Sequence, residues 1–132
     1  MLRQDDHHAA RAFFESALSH APTSSPLLVG AIFSALALLE ARDGRVEEAR
    51  RLLAESTPLL ATGGKQPEVV RCTARRAETA FWLGDIAAAR AFLAEAEALC
   101  GSGPIFDDEI LYALSAAQSC LSGTAEHSGQ AI

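Results

Sequence analysis

Apolar and polar residues follow a helical period along this chain, and short segments rich in glycine, proline and small polar residues separate the periodic runs. The clearest run, residues 86–99, reads IAAARAFLAEAEAL and places apolar side chains three and four positions apart. Related patterns occupy residues 46–56 and 5–18. Strand-type alternation of apolar and polar residues is missing, so the pattern predicts an all-α fold with about six helices.

Capping residues and prolines indicate where these helices begin and end. The predicted helices cover residues 5–20, 26–42, 45–56, 67–83, 85–99 and 107–121. Pro26 and Pro67 each open a helix, where the missing N–H costs no hydrogen bond. Pro58 is expected to end the third helix or to confine the next residues to a loose extra turn. A helical domain of residues 1–122 is then followed by a polar tail, residues 123–132, which we expect to fray.

Turn residues recur along the chain at a nearly constant spacing. Asp5, Gly44, Gly84 and Gly123 lie 39, 40 and 39 residues apart. Superposing the units places small residues together at one position (Ala10, Ala49 and Ala89) and large apolar residues together at another (Phe14, Leu53 and Leu93). A fixed period of this size is typical of an array of stacked helical hairpins.

The best-matching unit resembles the second helix of a tetratricopeptide repeat. Its residues are Ala10, Phe14 and Ala17, with Pro22 closing the unit. The period is longer than the roughly 34 residues usual in that family. In this respect the chain is more similar to the long-period helical arrays attached to bacterial transcription activators and signalling ATPases. The resemblance implies a right-handed superhelical stack of antiparallel helical hairpins.

The same resemblance implies that the second, fourth and sixth helices line a concave groove. We expect the partner-binding groove to include Leu38, Arg42, Arg71, Arg75, Glu78 and Trp82. Two guanidinium groups beside an indole suit a carboxylate or a peptide terminus. The simpler interpretation is a solvated face in which Arg75 pairs with Glu78 while Trp82 packs into the core.

The ends of the array form a second candidate surface. Terminal repeats usually present polar capping faces, but these ends carry apolar side chains at Phe13, Phe14, Ile110, Leu114 and Leu121. We therefore expect one or both ends to bury against a second copy, giving a homodimer, or against another protein.

Clusters of polar residues do not indicate catalysis. Asp107, Asp108 and Glu109 stand at a helix start, where capping and the helix dipole explain them better than acid–base chemistry does. His7 and His8 are adjacent, so they cannot share a helical face in the way that metal-binding pairs do. No Ser/His/Asp order, phosphate-binding glycine loop or dinucleotide fingerprint occurs. We expect no enzymatic activity, cofactor or metal.

Charge and cysteine content limit the compartment and the partners. The net charge of −6 argues against a phosphate-binding face for nucleic acid. Residues 27–39 are too short an apolar run to span a bilayer, and residues 1–6 lack the apolar segment of a signal peptide. Cys72 and Cys100 are expected at the same end of a hairpin, but an odd count of three cysteines favours free thiols. The sequence predicts a cytoplasmic protein without nucleic-acid or membrane partners.

These observations predict a non-enzymatic helical-repeat scaffold that binds a protein or peptide through its groove and open ends. The alternative is a regulatory module of a bacterial transcription or signalling system that senses a ligand or peptide in the groove.

Overall fold

A computed structural model describes residues 4–20, 25–64, 66–101 and 107–130, with the backbone alone described for 4–7 and 123–130. The described residues form six helices and no strand, which confirms the all-α prediction. The helices are α1 (Gln4–His20), α2 (Pro26–Arg42), α3 (Val46–Ala61), α4 (Pro67–Trp82), α5 (Ile86–Cys100) and α6 (Asp108–Gln130). Within these ranges, none of the helices combines the length and apolarity needed to cross a membrane.

Helix contacts are consistent with a bundle organised around α2 and α4. These two helices contact each other, and α4 also contacts α3, α5 and α6. Helix α2 contacts α1 and α3 in addition, and α5 contacts α6. In the part of the chain that the structure describes, the backbones of α1, α3 and α5 do not approach one another closely. Helices α2, α4 and α6 therefore form a continuous row, and α4 is its most enclosed member.

The corners between α2 and α3 and between α4 and α5 have the same backbone geometry. Gly44 and Gly84 end the two turns with φ of 81° and 82°, a conformation that glycine adopts without steric cost. In both corners the N–H of the residue after the glycine donates to a carbonyl in the last turns of the preceding helix: Arg45 to Glu40 at 2.8 Å and Asp85 to Ala80 at 2.9 Å. The predicted turns at Gly44 and Gly84 are confirmed.

Small apolar residues let the helices approach closely in three core clusters. One cluster joins α1, α2 and α3 around Ile32, Leu36 and Leu52. The other two join α4, α5 and α6. Five alanines in these helices are completely buried: Ala37, Ala49, Ala74, Ala89 and Ala96. Because an alanine side chain ends at Cβ, neighbouring helices can pack without leaving cavities.

Of the two alternatives for Pro58, the end of the helix is wrong, because α3 continues through the proline for one more turn, to Ala61. Leu60 holds the extra turn in place, because its side chain is buried and packs against Gly30 of α2. A Cβ atom at Gly30 would lie 3.0 Å from Leu59 Cβ and 3.1 Å from Leu60 Cδ2. Burial of these leucines compensates for the hydrogen bond that proline cannot donate.

Two of the four predicted turn markers do not lie in turns. Asp5 lies within α1, and Gly123 lies within α6, which extends to Gln130 instead of ending near Leu121. A single glycine costs a helix only about 1 kcal/mol relative to alanine, so it does not have to end one. Only the central spacing, between Gly44 and Gly84, marks two equivalent corners.

Candidate functional site

Helix α4 is buried on most of its circumference and accessible along one stripe. Four helices contact it, and ten of its residues are buried. Glu68, Arg71, Arg75 and Trp82 remain at least partly accessible at spacings that place them on one side of the helix. This stripe, called the α4 stripe below, contains three of the predicted groove residues.

Two ion pairs join the α4 stripe and its neighbours to α2 and α6. Arg42 of α2 pairs with Glu78, which is only 7% exposed. Arg71 pairs with Glu68 on its own helix and with Glu109 of α6. The structure therefore corrects two expectations. Glu78 pairs with Arg42 instead of Arg75, and Arg71 is not an open guanidinium group.

Arg75 lies between these ion pairs in the sequence of α4. Unlike Arg42 and Arg71, it is not part of one. It is half-buried, and no carboxylate of the described residues forms an ion pair with it. Burial lowers the pKa of Arg75 and so does the nearby charge of Arg71, whereas the charges of Cys72 and Glu78 act in the opposite direction. Arginine still remains protonated near neutral pH. A charged, partly desolvated guanidinium without an ion-pair partner is a favourable position for an incoming anion.

Trp82 lies at the C-terminal end of the stripe and does not pack into the core. It is 49% exposed, and its ring meets Phe81 edge-on at a centroid distance of 6.0 Å. Phe81 itself packs against a core cluster. Trp82 thus offers an accessible indole ring in contact with a partly buried neighbour. On α2, Leu38 is partly buried, while Arg42 is held by Glu78.

The predicted end face was wrong for most of its residues. Ile110, Leu114 and Leu121 are buried against α4 and α5, so they complete the core of this chain. Phe14 packs against the α1–α2–α3 cluster. Phe13 alone among the five is freely accessible, at 67% exposure. Contact of the α1 end with a second copy or another protein stays a prediction for Phe13.

The accessible side of α6 carries different residues from those predicted. Leu111 and Tyr112 are 41% and 78% exposed. The backbone N–H groups of Glu109 and Ile110 donate to Asp107 Oδ1 at 2.9 and 3.1 Å, which confirms the capping role of Asp107. The sequence pattern does not show which side of α6 is buried, because apolar residues occur on both sides.

A buried carboxylate on α2 was also missed. Glu40 is 2% exposed and pairs with Arg11 of α1 and with Arg45, whose Nη1 lies 3.0 Å from Glu40 Oε2. Arg11 also pairs with Asp43. One signal was present, because Glu40 is the single acidic residue of an otherwise apolar helix.

The cysteines and histidines of the described segments form no reactive cluster. No disulfide links the three cysteines, and burial raises the pKa of the Cys72 thiol. His8 is exposed, whereas the side chain of His7 lies outside the described residues. No group of three or more His, Cys, Asp and Glu side chains in the described ranges has the geometry of a metal site. Comparison with protein-family models, curated proteins and solved structures finds no match.

Proposed function

We propose that this chain is a non-enzymatic helical-repeat scaffold that binds an acidic segment of a protein or peptide along the α4 stripe. The observation that carries the proposal is Arg75. Its guanidinium is half-buried and has no ion-pair partner among the described residues, while the arginines on both sides are neutralised. Arginine and tryptophan are the side chains that most often dominate binding energy at interfaces.

The two ion pairs define what the stripe can recognise. Arg42 and Arg71 already have carboxylate partners, so a bound segment gains most from placing its own carboxylate at Arg75. Trp82 lies seven residues further along the same helix, two turns or about 10 Å away. A peptide carboxylate at Arg75 and an apolar side chain at Trp82 would match this spacing.

The way in which the helical hairpins stack is part of the same proposal. We take the hairpins to stack as a right-handed, tetratricopeptide-like superhelix with α2, α4 and α6 on the concave side. The equivalent corners at Gly44 and Gly84 and the continuous row of α2, α4 and α6 support it. A concave side would expose the α4 stripe along the length of the groove.

Selection from a random-sequence peptide library displayed on phage tests this function. Parallel selections use the native chain, Arg75→Gln and Arg90→Gln, because Arg90 is an exposed arginine of α5 that serves as a matched control. We expect the native chain and Arg90→Gln to enrich acidic peptides and Arg75→Gln to lose that enrichment. Failure to enrich any sequence, or identical enrichment by all three proteins, would overturn the proposal.

Binding of a selected peptide can then be followed directly. Trp82 is the only tryptophan of the chain, so its fluorescence reports on the stripe without a label. We expect a saturable change with the acidic peptide and a much weaker one when its carboxylates are replaced by amides. A binding curve that is unaffected by this replacement would contradict the role of Arg75.

A further inference from the structure

A cleft of about 460 Å³ lies between α1 and α3, and no residue of the α4 stripe lines it. Its apolar lining comes from Leu18 of α1, Phe33 and Leu36 of α2, and Leu52 of α3. The volume falls within the range of small-molecule sites, about 300–1,000 Å³. The cleft therefore has the size of a ligand site and an apolar floor within a charged rim.

Carboxylates outnumber guanidinium groups around the cleft. The lining includes Glu15, Glu40, Glu48 and Glu55, against Arg11, Arg45 and Arg51. All three arginines are already engaged: Arg11 with Glu40 and Asp43, Arg45 with Glu40, and Arg51 with Glu48 and Glu55. The cleft thus has no uncommitted cation among its lining residues.

Two carboxylates of the lining are incompletely paired, although the Glu40 Oε2 atom is enclosed and becomes reachable only when a neighbouring side chain moves. Glu15 is exposed and forms no ion pair with the described part of the chain. Glu40 has a side chain only 3% exposed, and its Oε2 atom accepts no hydrogen bond. Arg45 lies close enough to Oε2 for an ion pair but does not donate a hydrogen bond to it. A buried carboxylate oxygen in this state is stabilised by an additional donor.

The next unit of the chain shows what fits the equivalent position. Arg76 is 6% exposed, and its guanidinium carbon lies 4.5 Å from the centre of the Phe92 ring. It also donates a hydrogen bond to Thr57 of α3 and lies near the charge of Glu95. Helix α4 therefore supplies its own cation to the space between α3 and α5.

The equivalent residues in the preceding unit line the cleft. Moving back by the 40-residue spacing of Gly44 and Gly84 takes Arg76 to Leu36, Phe92 to Leu52 and Glu95 to Glu55. The first unit therefore has the same carboxylate, Glu55, at this position. It has a leucine in place of the aromatic ring and a shorter, uncharged leucine in place of the arginine. The first unit thus keeps an apolar and acidic site but has no cation of its own there.

We propose that the cleft between α1 and α3 binds a small organic cation with an apolar stem, of the alkylguanidinium class. Its charged head group lies among Glu15, Glu40 and Glu55, and its stem packs against Leu36 and Phe33. The ligand takes the place that the Arg76 side chain takes in the next unit. This site is independent of the α4 stripe.

Titration of the ¹⁵N-labelled chain with n-pentylguanidinium, followed by amide chemical shifts, tests the proposal. We expect saturable shifts concentrated on residues 11–18, 33–40 and 45–55. The neutral analogue n-pentylurea should bind at least fivefold more weakly, and hexanoate should produce no saturable shifts. Equal binding of the urea or of hexanoate, the absence of saturation, or shifts centred elsewhere would overturn the proposal.

Two matched variants distinguish the cleft from general surface charge. Glu15→Gln removes the unpaired carboxylate at an exposed position, so the fold is retained. Glu47→Gln removes another exposed carboxylate, which pairs with Arg50 on α3 and is not part of the cleft lining. We expect Glu15→Gln to weaken pentylguanidinium binding about fivefold and Glu47→Gln to leave it unchanged. Equal effects of the two variants would contradict a specific site.

Discussion

Arg42 of α2 forms an ion pair with Glu78 of α4, although the glutamate is almost completely buried and the arginine side chain is about one-third exposed. The pair joins the two central helices of the bundle. The Glu78 carboxylate also lies near enough to favour the charged form of Arg75, although its ion pair is with Arg42. The packing of one carboxylate thus affects both the stability of the α2–α4 contact and the chemistry of the α4 stripe.

Removing Arg42 should destabilise the fold more than an ordinary surface substitution. In Arg42→Ala the Glu78 carboxylate remains buried without its partner, and we expect the free energy of unfolding to fall by about 2 kcal/mol. Urea denaturation measures the change. The double variant Arg42→Ala/Glu78→Gln should recover at least half of the loss. A loss below about 0.5 kcal/mol for the single variant would show that water already compensates the buried charge.

Substitutions at two turn glycines should differ in cost because their surroundings differ. Gly44 has a φ of +81°, and no atom lies within 4 Å of the point that a Cβ would occupy, so Gly44→Ala adds backbone strain alone, about 1–2 kcal/mol. A Cβ at Gly63 would lie 2.4 Å from Val69 Cγ2 and 3.0 Å from Leu27 Cδ1. We expect Gly63→Ala to cost about 1–3 kcal/mol through overpacking.

Thermal unfolding with and without a compensating change separates the two causes. Adding Val69→Ala should relieve part of the overpacking in Gly63→Ala, whereas it should not improve Gly44→Ala. Equal responses of the two glycine variants to Val69→Ala would contradict this interpretation.

Replacing Arg76 should open a second site between α3 and α5. We expect Arg76→Ala to destabilise the chain, because it removes the cation–π contact with Phe92 and the hydrogen bond to Thr57. Arg76→Leu should cost less, because a leucine fills the space and the equivalent position already holds Leu36. Differential scanning calorimetry measures both.

Added n-pentylguanidinium should restore stability in one of these variants. We expect it to raise the melting temperature of Arg76→Ala more than that of Arg76→Leu, since the cation can occupy the space that the alanine leaves. Equal shifts for the two variants would indicate that no second site forms.

The buried thiol of Cys72 should make stability depend on alkaline pH. Burial raises the pKa of Cys72, whereas the unfolded chain releases the thiol proton near pH 8.5. The stability contributed by the buried thiol is therefore complete below that pH and decreases as pH rises further. We expect the free energy of unfolding to decline above about pH 8.5 in the native chain, and less steeply in Cys72→Ala. Identical slopes would contradict the prediction.

The same burial should protect Cys72 from alkylation. Cys72 is completely buried, whereas Cys100 and Cys120 are partly accessible. We expect iodoacetamide to modify Cys100 and Cys120 first and to reach Cys72 only after unfolding. Peptide mass mapping identifies the modified residues, and early modification of Cys72 would show that α4 opens locally.

Local signals were sufficient to predict most of the helices. Pro26 and Pro67 begin α2 and α4, Gly84 makes the positive-φ turn, and Asp85 accepts a hydrogen bond from the Ala88 N–H at 3.0 Å. Each depends on backbone geometry within a few residues, which the local sequence determines. Of the four turn residues that the 39–40-residue spacing predicted, only Gly44 and Gly84 lie in turns.

The order of residues was enough to establish the helical class and the two central corners, and it predicted accessibility on α4 for Arg71, Arg75 and Trp82 but wrongly for Glu78. Packing between helices established that α3 continues past Pro58, that Ile110, Leu114 and Leu121 belong to the core, and that Glu78 pairs with Arg42. The two groups of features differ in how far apart in the sequence the interacting residues lie. Capping and turn conformations depend on neighbours in the chain, whereas burial and charge pairing depend on which side chains other helices bring into contact, up to 38 positions away for Arg71 and Glu109.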